Sequence, residues 1–108
     1  MDIKKFFEPE SIAVIGASRD PNKVGSAVLK NLIITFRGKI FPINPFADEL
    51  QGLKAYKSVI GVKEKIDVAI ISVPADLVLN ILKECERAKI SLLYLLGPLQ
   101  EKQIAEVH

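Results

Sequence analysis

Cysteine, histidine and tryptophan are scarce in this sequence of 108 residues, which has one cysteine, one histidine and no tryptophan. The lone cysteine, Cys85, cannot form a disulfide within the chain, and the first residues lack the cationic, apolar and cleavage regions of a signal peptide. We therefore expect a cytoplasmic protein. The single histidine, His108, is the last residue, where a frayed end is more common than a catalytic base.

Long apolar runs and an excess of one charge are also missing. Apolar stretches such as residues 90–96 are far shorter than the roughly 20 residues that cross a bilayer, so we expect no membrane-spanning segment. The 15 basic and 13 acidic residues leave a net charge of only +2, which argues against a nucleic-acid-binding domain. Hydrophobic residues, at 49%, are enough for a buried core, and the length fits one domain over residues 1–108.

Strand and helix patterns alternate along the chain. Mainly apolar runs bounded by turn residues predict strands at 11–16, 39–43, 67–73 and 91–96. Apolar residues at helical spacing (Ala27, Val28, Leu32, Ile33 and Phe36) predict a helix from Gly25 to about Phe36, and a similar pattern predicts one from about Ala75 to Ala88. Shorter elements are expected as a helical turn near 3–7, a turn running into a short helix at 44–49, an edge segment at 52–56 and a helix starting at 99–108. The alternation predicts an α/β fold with a doubly wound parallel sheet.

The loop after the first strand is the first candidate site, because ligands of such sheets bind at the carboxyl ends of the strands. Gly16 allows a sharp turn with positive φ, Ser18 offers a hydroxyl and an amide, and Lys23 offers a cation. Gly25 allows close approach at a helix N-terminus, which favours phosphate. The loop therefore suits a diphosphate, and a side chain at Gly16 would occupy the phosphate position. It matches neither common glycine-rich phosphate motif, so a plain turn is the alternative.

Three further loops follow the other strands. Asn44-Pro45 stands where an NAD-binding domain usually places an acidic residue against the ribose, which weakens an NAD interpretation. Val73-Pro74 and Gly97-Pro98 place backbone groups at the same edge. A plain turn explains Asn44-Pro45 equally well, and a proline that starts a helix explains Val73-Pro74 better than a ligand contact does, with the same ambiguity at Gly97-Pro98. No catalytic constellation is visible, and Cys85 falls on the apolar stripe of its helix, as a buried hydrophobe would.

Taken as a set, these residues resemble the CoA-binding domain of the NDP-forming acyl-CoA synthetases, related to the α subunit of succinyl-CoA synthetase. The matching positions are 12–18, 23–25, 31–32, 38–40, 44–45, 52, 55–56, 67–70 and 73–75, within a similarity that covers about residues 6–90. The resemblance implies a Rossmann-like fold that binds coenzyme A or acyl-CoA. Gly16, Ala17, Ser18 and Lys23 would then lie near the phosphates, with the Asn44-Pro45 and Val73-Pro74 loops lining the nucleotide. Gly97 matches the family, whereas its neighbours depart from the family pattern.

Several roles stay open under this resemblance. The chain could be a stand-alone CoA-binding protein, or the CoA-binding part of a synthetase, truncated at its C-terminus or assembled with chains that carry the ATP-grasp and phosphohistidine parts. His108 does not match that histidine. The alternatives are an NAD(H)-binding sensor domain that acts on a protein partner, and a purely structural domain.

Overall fold

Four parallel strands form the central sheet of the computed structural model, which describes residues 8–96. In chain order the elements are β1 (Ser11–Ile15), α1 (Val24–Thr35), β2 (Lys39–Ile43), β3 (Glu49–Leu50), β4 (Leu53–Lys54), a 3₁₀ turn (Val59–Gly61), β5 (Val68–Ile71), α2 (Ala75–Arg87) and β6 (Leu92–Leu95). The sheet has the order β2-β1-β5-β6, and each neighbouring pair is parallel. The predicted α/β fold is confirmed.

The sheet is covered on both faces, as the continuous apolar runs predict. Alternate residues of a strand point to opposite faces, so Val14 packs in one core cluster with Leu29 of α1, and Ile15 packs in the other with Cys85 of α2. All four side chains are almost fully buried. A strand buried on both faces needs apolar residues at every position, which explains why β1 does not alternate between polar and apolar.

Helix α1 has the predicted extent, but its buried face differs from the expected one. Leu29 is the fully buried large side chain, whereas Ala27 is exposed and Ile33 is 39% exposed. The remaining expected residues are partly buried against the same cluster: Val28, Leu32 and Phe36. Gly25 lies against the turn after β1, and Leu29, one helical turn further along, shares its face of the helix and is buried.

The predicted short helix at 44–49 is wrong. The chain turns at Pro45 and then forms an antiparallel hairpin, in which Glu49 pairs with Lys54 and Leu50 with Leu53. Gln51 and Gly52 connect the two strands with φ values of 50° and 85°. Two consecutive positive φ values are typical of a tight hairpin turn, and glycine at the second position adopts them at little cost. The predicted edge segment at 52–56 is present in part, as β4.

Tyr56 closes the outer edge of β2. Its N–H donates to the carbonyl of Pro42 at 2.9 Å, and its carbonyl accepts from the Asn44 N–H at 2.9 Å. Its ring packs edge-on against Phe41, with ring centres 5.8 Å apart. Pro42 lies in β2, which is an edge strand of the sheet. Proline is tolerated in an edge strand because no neighbouring strand on that side needs the N–H that proline lacks.

Some expectations fall outside residues 8–96. These are the helical turn near residues 3–7, the helix expected from residue 99, and Gly97. Within the part of the chain that is described, no helix has the length and apolar character needed to cross a membrane.

Candidate functional site

Gly16 lies where the carboxyl ends of three strands meet. Its φ is +97°, and a Cβ at this position would lie 1.9 Å from the carbonyl oxygen of Ser72. The Gly16 N–H donates to the carbonyl of Ile43 at 3.2 Å, and the Ser72 N–H donates to the carbonyl of Ile15 at 2.8 Å. The turn after β1 is therefore packed between the ends of β2 and β5, and only glycine fits it.

The start of α1 faces the same turn and is suited to an anion. Lys23 is the N-cap residue, no side chain caps the helix, and its first turn carries no acidic residue. The amide dipoles give this end a partial positive charge, and the exposed Lys23 adds a full one. Helix α2 also begins at this edge, but Asp76 in its first turn already supplies a negative charge. The start of α1 is therefore the better place for a diphosphate.

The loop between the two glycines is held by its own hydrogen bonds. The Ser18 hydroxyl accepts from the Asp20 N–H at 3.0 Å, and Asp20 Oδ1 accepts from the Asn22 N–H at 2.9 Å. The Lys23 N–H donates to the carbonyl of Asp20 at 3.0 Å. The bond at Ser18 uses the hydroxyl as an acceptor, so its proton can still be donated to a ligand. These internal hydrogen bonds stabilise the shape of the loop.

Asn44 joins this loop to the loop after β2. Its Nδ2 donates to the carbonyl of Ala17 at 2.9 Å, and its Oδ1 accepts from the Phe46 N–H at 2.7 Å. The Ala17 side chain is 1% exposed and belongs to the core on the α1 face. The amide of Asn44 thus positions backbone, which is a role that an aspartate could not perform, because a carboxylate cannot donate to a carbonyl.

The other residues expected at the site lie at the same edge of the sheet. Pro45 and Pro74 are exposed. Pro74 is the N-cap residue of α2, and the carbonyl of Pro74 accepts from the Leu77 N–H at 2.9 Å. Val73 is partly buried against the core on the α2 face. Its side chain therefore serves packing, and its backbone is what the loop offers at this edge.

The hairpin of β3 and β4 is a part of the site that the sequence did not reveal. Gln51 Nε2 donates to the carbonyl of Ser26 in α1 at 3.2 Å. Arg19 Nη2 makes a long contact of 3.5 Å with the carbonyl of Glu49. The hairpin is thereby fastened beside the start of α1. No local pattern indicates these contacts, since the partners are 25 and 30 residues apart.

Lys57 and Phe46 were also missed. Lys57 Nζ donates to the carbonyl of Pro45 at 3.3 Å. This contact brings a cation to the loop after β2, in addition to Lys23 at the start of α1. Phe46 follows Pro45 and is 91% exposed. A cation and an unpacked aromatic ring therefore border the edge that carries the glycine turn.

A shallow depression lies at the opposite edge, where the strands begin. It is lined by Glu10, Ser11, Lys39, Glu64, Lys65 and Asp67. Lys39 forms an ion pair with Glu64, and this hydrogen bond and charge raise the pKa of Lys39. The Ser11 hydroxyl donates to the carbonyl of Lys65 at 2.8 Å and accepts from the Asp67 N–H at 2.9 Å. Because these polar groups bind one another and no helix within residues 8–96 begins at this edge, we place the candidate site at the carboxyl edge instead.

The fold is a Rossmann-like α/β domain, in which the turn after β1 abuts the uncapped start of α1. A family model described as a CoA binding domain matches residues 10–107. The chain belongs to this family, as the resemblance in its sequence predicted. Between residues 8 and 96 there is no group of three or more His, Cys, Asp or Glu residues that could hold a metal ion.

Two relatives are acetate–CoA ligases or subunits of them. An ADP-forming acetate–CoA ligase of Methanocaldococcus jannaschii is 50% identical over 84 residues, which is 78% of this chain and 12% of that protein. Subunit alpha of the ADP-forming acetate–CoA ligase II of Pyrococcus furiosus is 51% identical over 80 residues, which is 74% of this chain and 18% of the subunit.

A solved structure has the same fold. The dinucleotide-forming acetyl-coenzyme A synthetase 1 of Ca. Korarchaeum cryptofilum, in complex with phosphate and ADP, superposes with a TM-score of 0.82 and 50% identity. The match covers 85% of this chain and 20% of that chain. This chain thus spans only a fifth or less of each of these three relatives.

Proposed function

We propose that this chain binds coenzyme A, free or acylated, at the carboxyl edge of its sheet. The observation that carries the proposal is the start of α1: it abuts the Gly16 turn, has no side-chain cap and has no acidic residue in its first turn. An anion placed there meets aligned backbone amides without competing with a carboxylate of the protein. Membership of a CoA-binding family supports coenzyme A as the source of that anion.

The diphosphate of the ligand lies on the turn from Gly16 to Ser18. The backbone amides of Ala17 and Ser18 and that of Gly25 in the first turn of α1 donate to it, together with the Ser18 hydroxyl. The Gly16 N–H, by contrast, is already bonded to the carbonyl of Ile43. Lys23 supplies a positive charge from the N-cap position. Each such charge interaction at an exposed helix end is worth about 0.3–1 kcal/mol, so several together are needed for useful affinity.

The neighbouring loops line the rest of the nucleotide. Asn44-Pro45 borders the turn on the β2 side and Val73-Pro74 borders it on the β5 side, because β2 and β5 are the two neighbours of β1 in the sheet. The backbone groups and proline rings of these loops are the contacting parts, since the Asn44 amide is engaged with Ala17 and Phe46. Gly97 completes the set from outside the described residues.

The chain acts as a CoA carrier or presenter rather than as a complete enzyme. It is either a stand-alone CoA-binding protein of the cytoplasm or the CoA-binding part of an NDP-forming acyl-CoA synthetase, whose ATP-grasp and phosphohistidine parts lie elsewhere. The second setting is supported by relatives that are acetate–CoA ligases, one of them a separate subunit alpha.

Thermal stabilisation by ligands tests the binding proposal. A ligand that binds only the folded state stabilises it by RT ln(1 + [L]/Kd), about 2.7 kcal/mol at 100 Kd, which raises the melting temperature of a domain of this size by several degrees. We expect coenzyme A to stabilise the chain most, dephospho-CoA less, and NADH least. A larger shift with NADH would favour the sensor alternative, and no shift with any of the three would refute binding at this edge.

A pair of lysine variants tests the location of the phosphates. Lys23→Gln removes the cation at the start of α1, whereas Lys30→Gln removes an exposed cation two turns further along the same helix. By calorimetry, Lys23→Gln should weaken coenzyme A binding several-fold and reduce its salt dependence, and Lys30→Gln should leave both unchanged. Equal effects of the two substitutions would contradict the placement.

A further inference from the structure

Phe46 is the most exposed large hydrophobic residue of the part of the chain that the structure describes, at 91%. Exposure alone does not set it apart, because isolated apolar side chains are common on protein surfaces and Ile34 is 72% exposed. Its position does. Ile34 lies near the far end of α1, whereas Phe46 lies in the loop that borders the Gly16 turn.

The backbone that carries this ring is held in place by three contacts. The Phe46 N–H donates to Asn44 Oδ1 at 2.7 Å, and Asn44 Nδ2 donates to the carbonyl of Ala17 at 2.9 Å. Lys57 Nζ donates to the carbonyl of Pro45, the preceding residue, at 3.3 Å. The ring is therefore presented to solvent from a loop that is tied directly to the proposed phosphate turn.

We propose that Phe46 is a specificity-determining residue on which the adenine ring of the bound nucleotide stacks. This inference rests on the proposed function. Adenine is separated from the diphosphate of coenzyme A by one ribose, so a nucleotide whose phosphates lie at Gly16 carries its base to a loop bordering that turn. An unpacked aromatic face suits a purine, and the ammonium group of Lys57 lies beside the same loop, where a ribose phosphate would meet it.

Calorimetry with the two halves of the ligand tests the assignment. Stacking on one aromatic side chain is expected to change Kd by about 5- to 100-fold. Phe46→Ala should therefore weaken coenzyme A and adenosine 3′,5′-bisphosphate by such a factor and leave 4′-phosphopantetheine unchanged, and Phe46→Trp should restore binding. Because the side chain is exposed, the melting temperature without ligand should hardly change.

A fluorescence measurement gives a second reading that a merely structural role would not change. The chain has no tryptophan, so Phe46→Trp introduces the only indole. Coenzyme A and adenosine 3′,5′-bisphosphate should quench its emission. The control is Ile34→Trp, roughly 15 Å from the start of α1 at 1.5 Å per residue, and its emission should stay constant.

The outcomes separate this inference from the proposed function. If the wild-type chain binds no coenzyme A, both fail. If it binds coenzyme A, and Phe46→Ala binds it equally well or loses affinity for both halves alike, the stacking role is refuted and the proposed function stands. An unquenched indole at position 46 in the complex with coenzyme A also refutes it.

Discussion

Gly25 and Gly16 are in backbone contact: a Cβ on Gly25 would lie 2.0 Å from the carbonyl oxygen of Gly16. The start of α1 is therefore set directly on the turn after β1. A Cβ on Gly16 would in turn lie 1.9 Å from the carbonyl oxygen of Ser72. Both glycines are required by neighbouring backbone of the protein itself, so a side chain at Gly16 would disturb the fold before it reached a phosphate. Loss of binding in a Gly16→Val variant thus cannot be assigned to the phosphate position.

Gly25→Ala should destabilise the chain strongly. Nearby backbone would have to move to accommodate the new methyl group, and overpacking of this kind costs about 3 kcal/mol. Gly61→Ala is the matched control, because a Cβ at Gly61 would have no neighbour within 4 Å. Urea unfolding of both variants measures the difference, and equal stabilities would show that α1 does not start against the turn.

Asn44→Ala and Asn44→Asp should both lower the free energy of unfolding by about 1–2 kcal/mol, since each removes the donor to the Ala17 carbonyl. The aspartate keeps an acceptor for the Phe46 N–H but turns a negative charge towards a carbonyl oxygen. We expect neither variant to gain affinity for NADH, although aspartate is the residue type that NAD-binding domains use at this place. Asn22→Ala, in the exposed part of the first loop, should change stability by less than about 0.5 kcal/mol. A stable Asn44→Asp variant that binds NADH would contradict the positioning role.

Leu29→Ala should cost about 3 kcal/mol of stability, because the side chain is fully buried between α1 and the sheet and its loss leaves a cavity. Ile34→Ala also truncates a large apolar side chain of the same helix, but it should be nearly neutral, since Ile34 is 72% exposed. Chemical denaturation of the two variants checks the rotation of α1. The reverse order of the two effects would mean that the helix packs through a different face.

Cys85 should resist alkylation in the native protein. The side chain is fully buried, and burial raises the pKa of its thiol, with the charge of Glu84 raising it further. The thiolate, which is the reactive form, is therefore rarer than in a free cysteine at the same pH. Reaction with a thiol reagent at mildly alkaline pH should be roughly 1000-fold slower, or more, than in urea-unfolded chain, because open states are populated at about 10⁻³ or less. Comparable rates in the two states would show that the α2 face of the core is open.

The amino-acid sequence alone determined the four strands of the central sheet, the two helices and the family of this protein. Apolar runs such as 11–15 and 68–71 are local patterns. They predict strands directly, because a strand that is buried on both faces needs apolar residues at nearly every position. The positive φ of Gly16 was also predictable, because a strand that turns sharply into a helix favours glycine at that point.

Only the tertiary structure decided what surrounds the glycine turn. The path of residues 44–57 depends on contacts between distant residues, such as Asn44 with Ala17 and Gln51 with Ser26, which no periodicity in the sequence records. The buried face of α1 was likewise decided by packing: several apolar positions are available on that helix, and the face that is buried contains Gly25, which abuts Gly16, and Leu29. Periodicity gives the type of each element, whereas its rotation and its neighbours follow from close packing across the whole sheet.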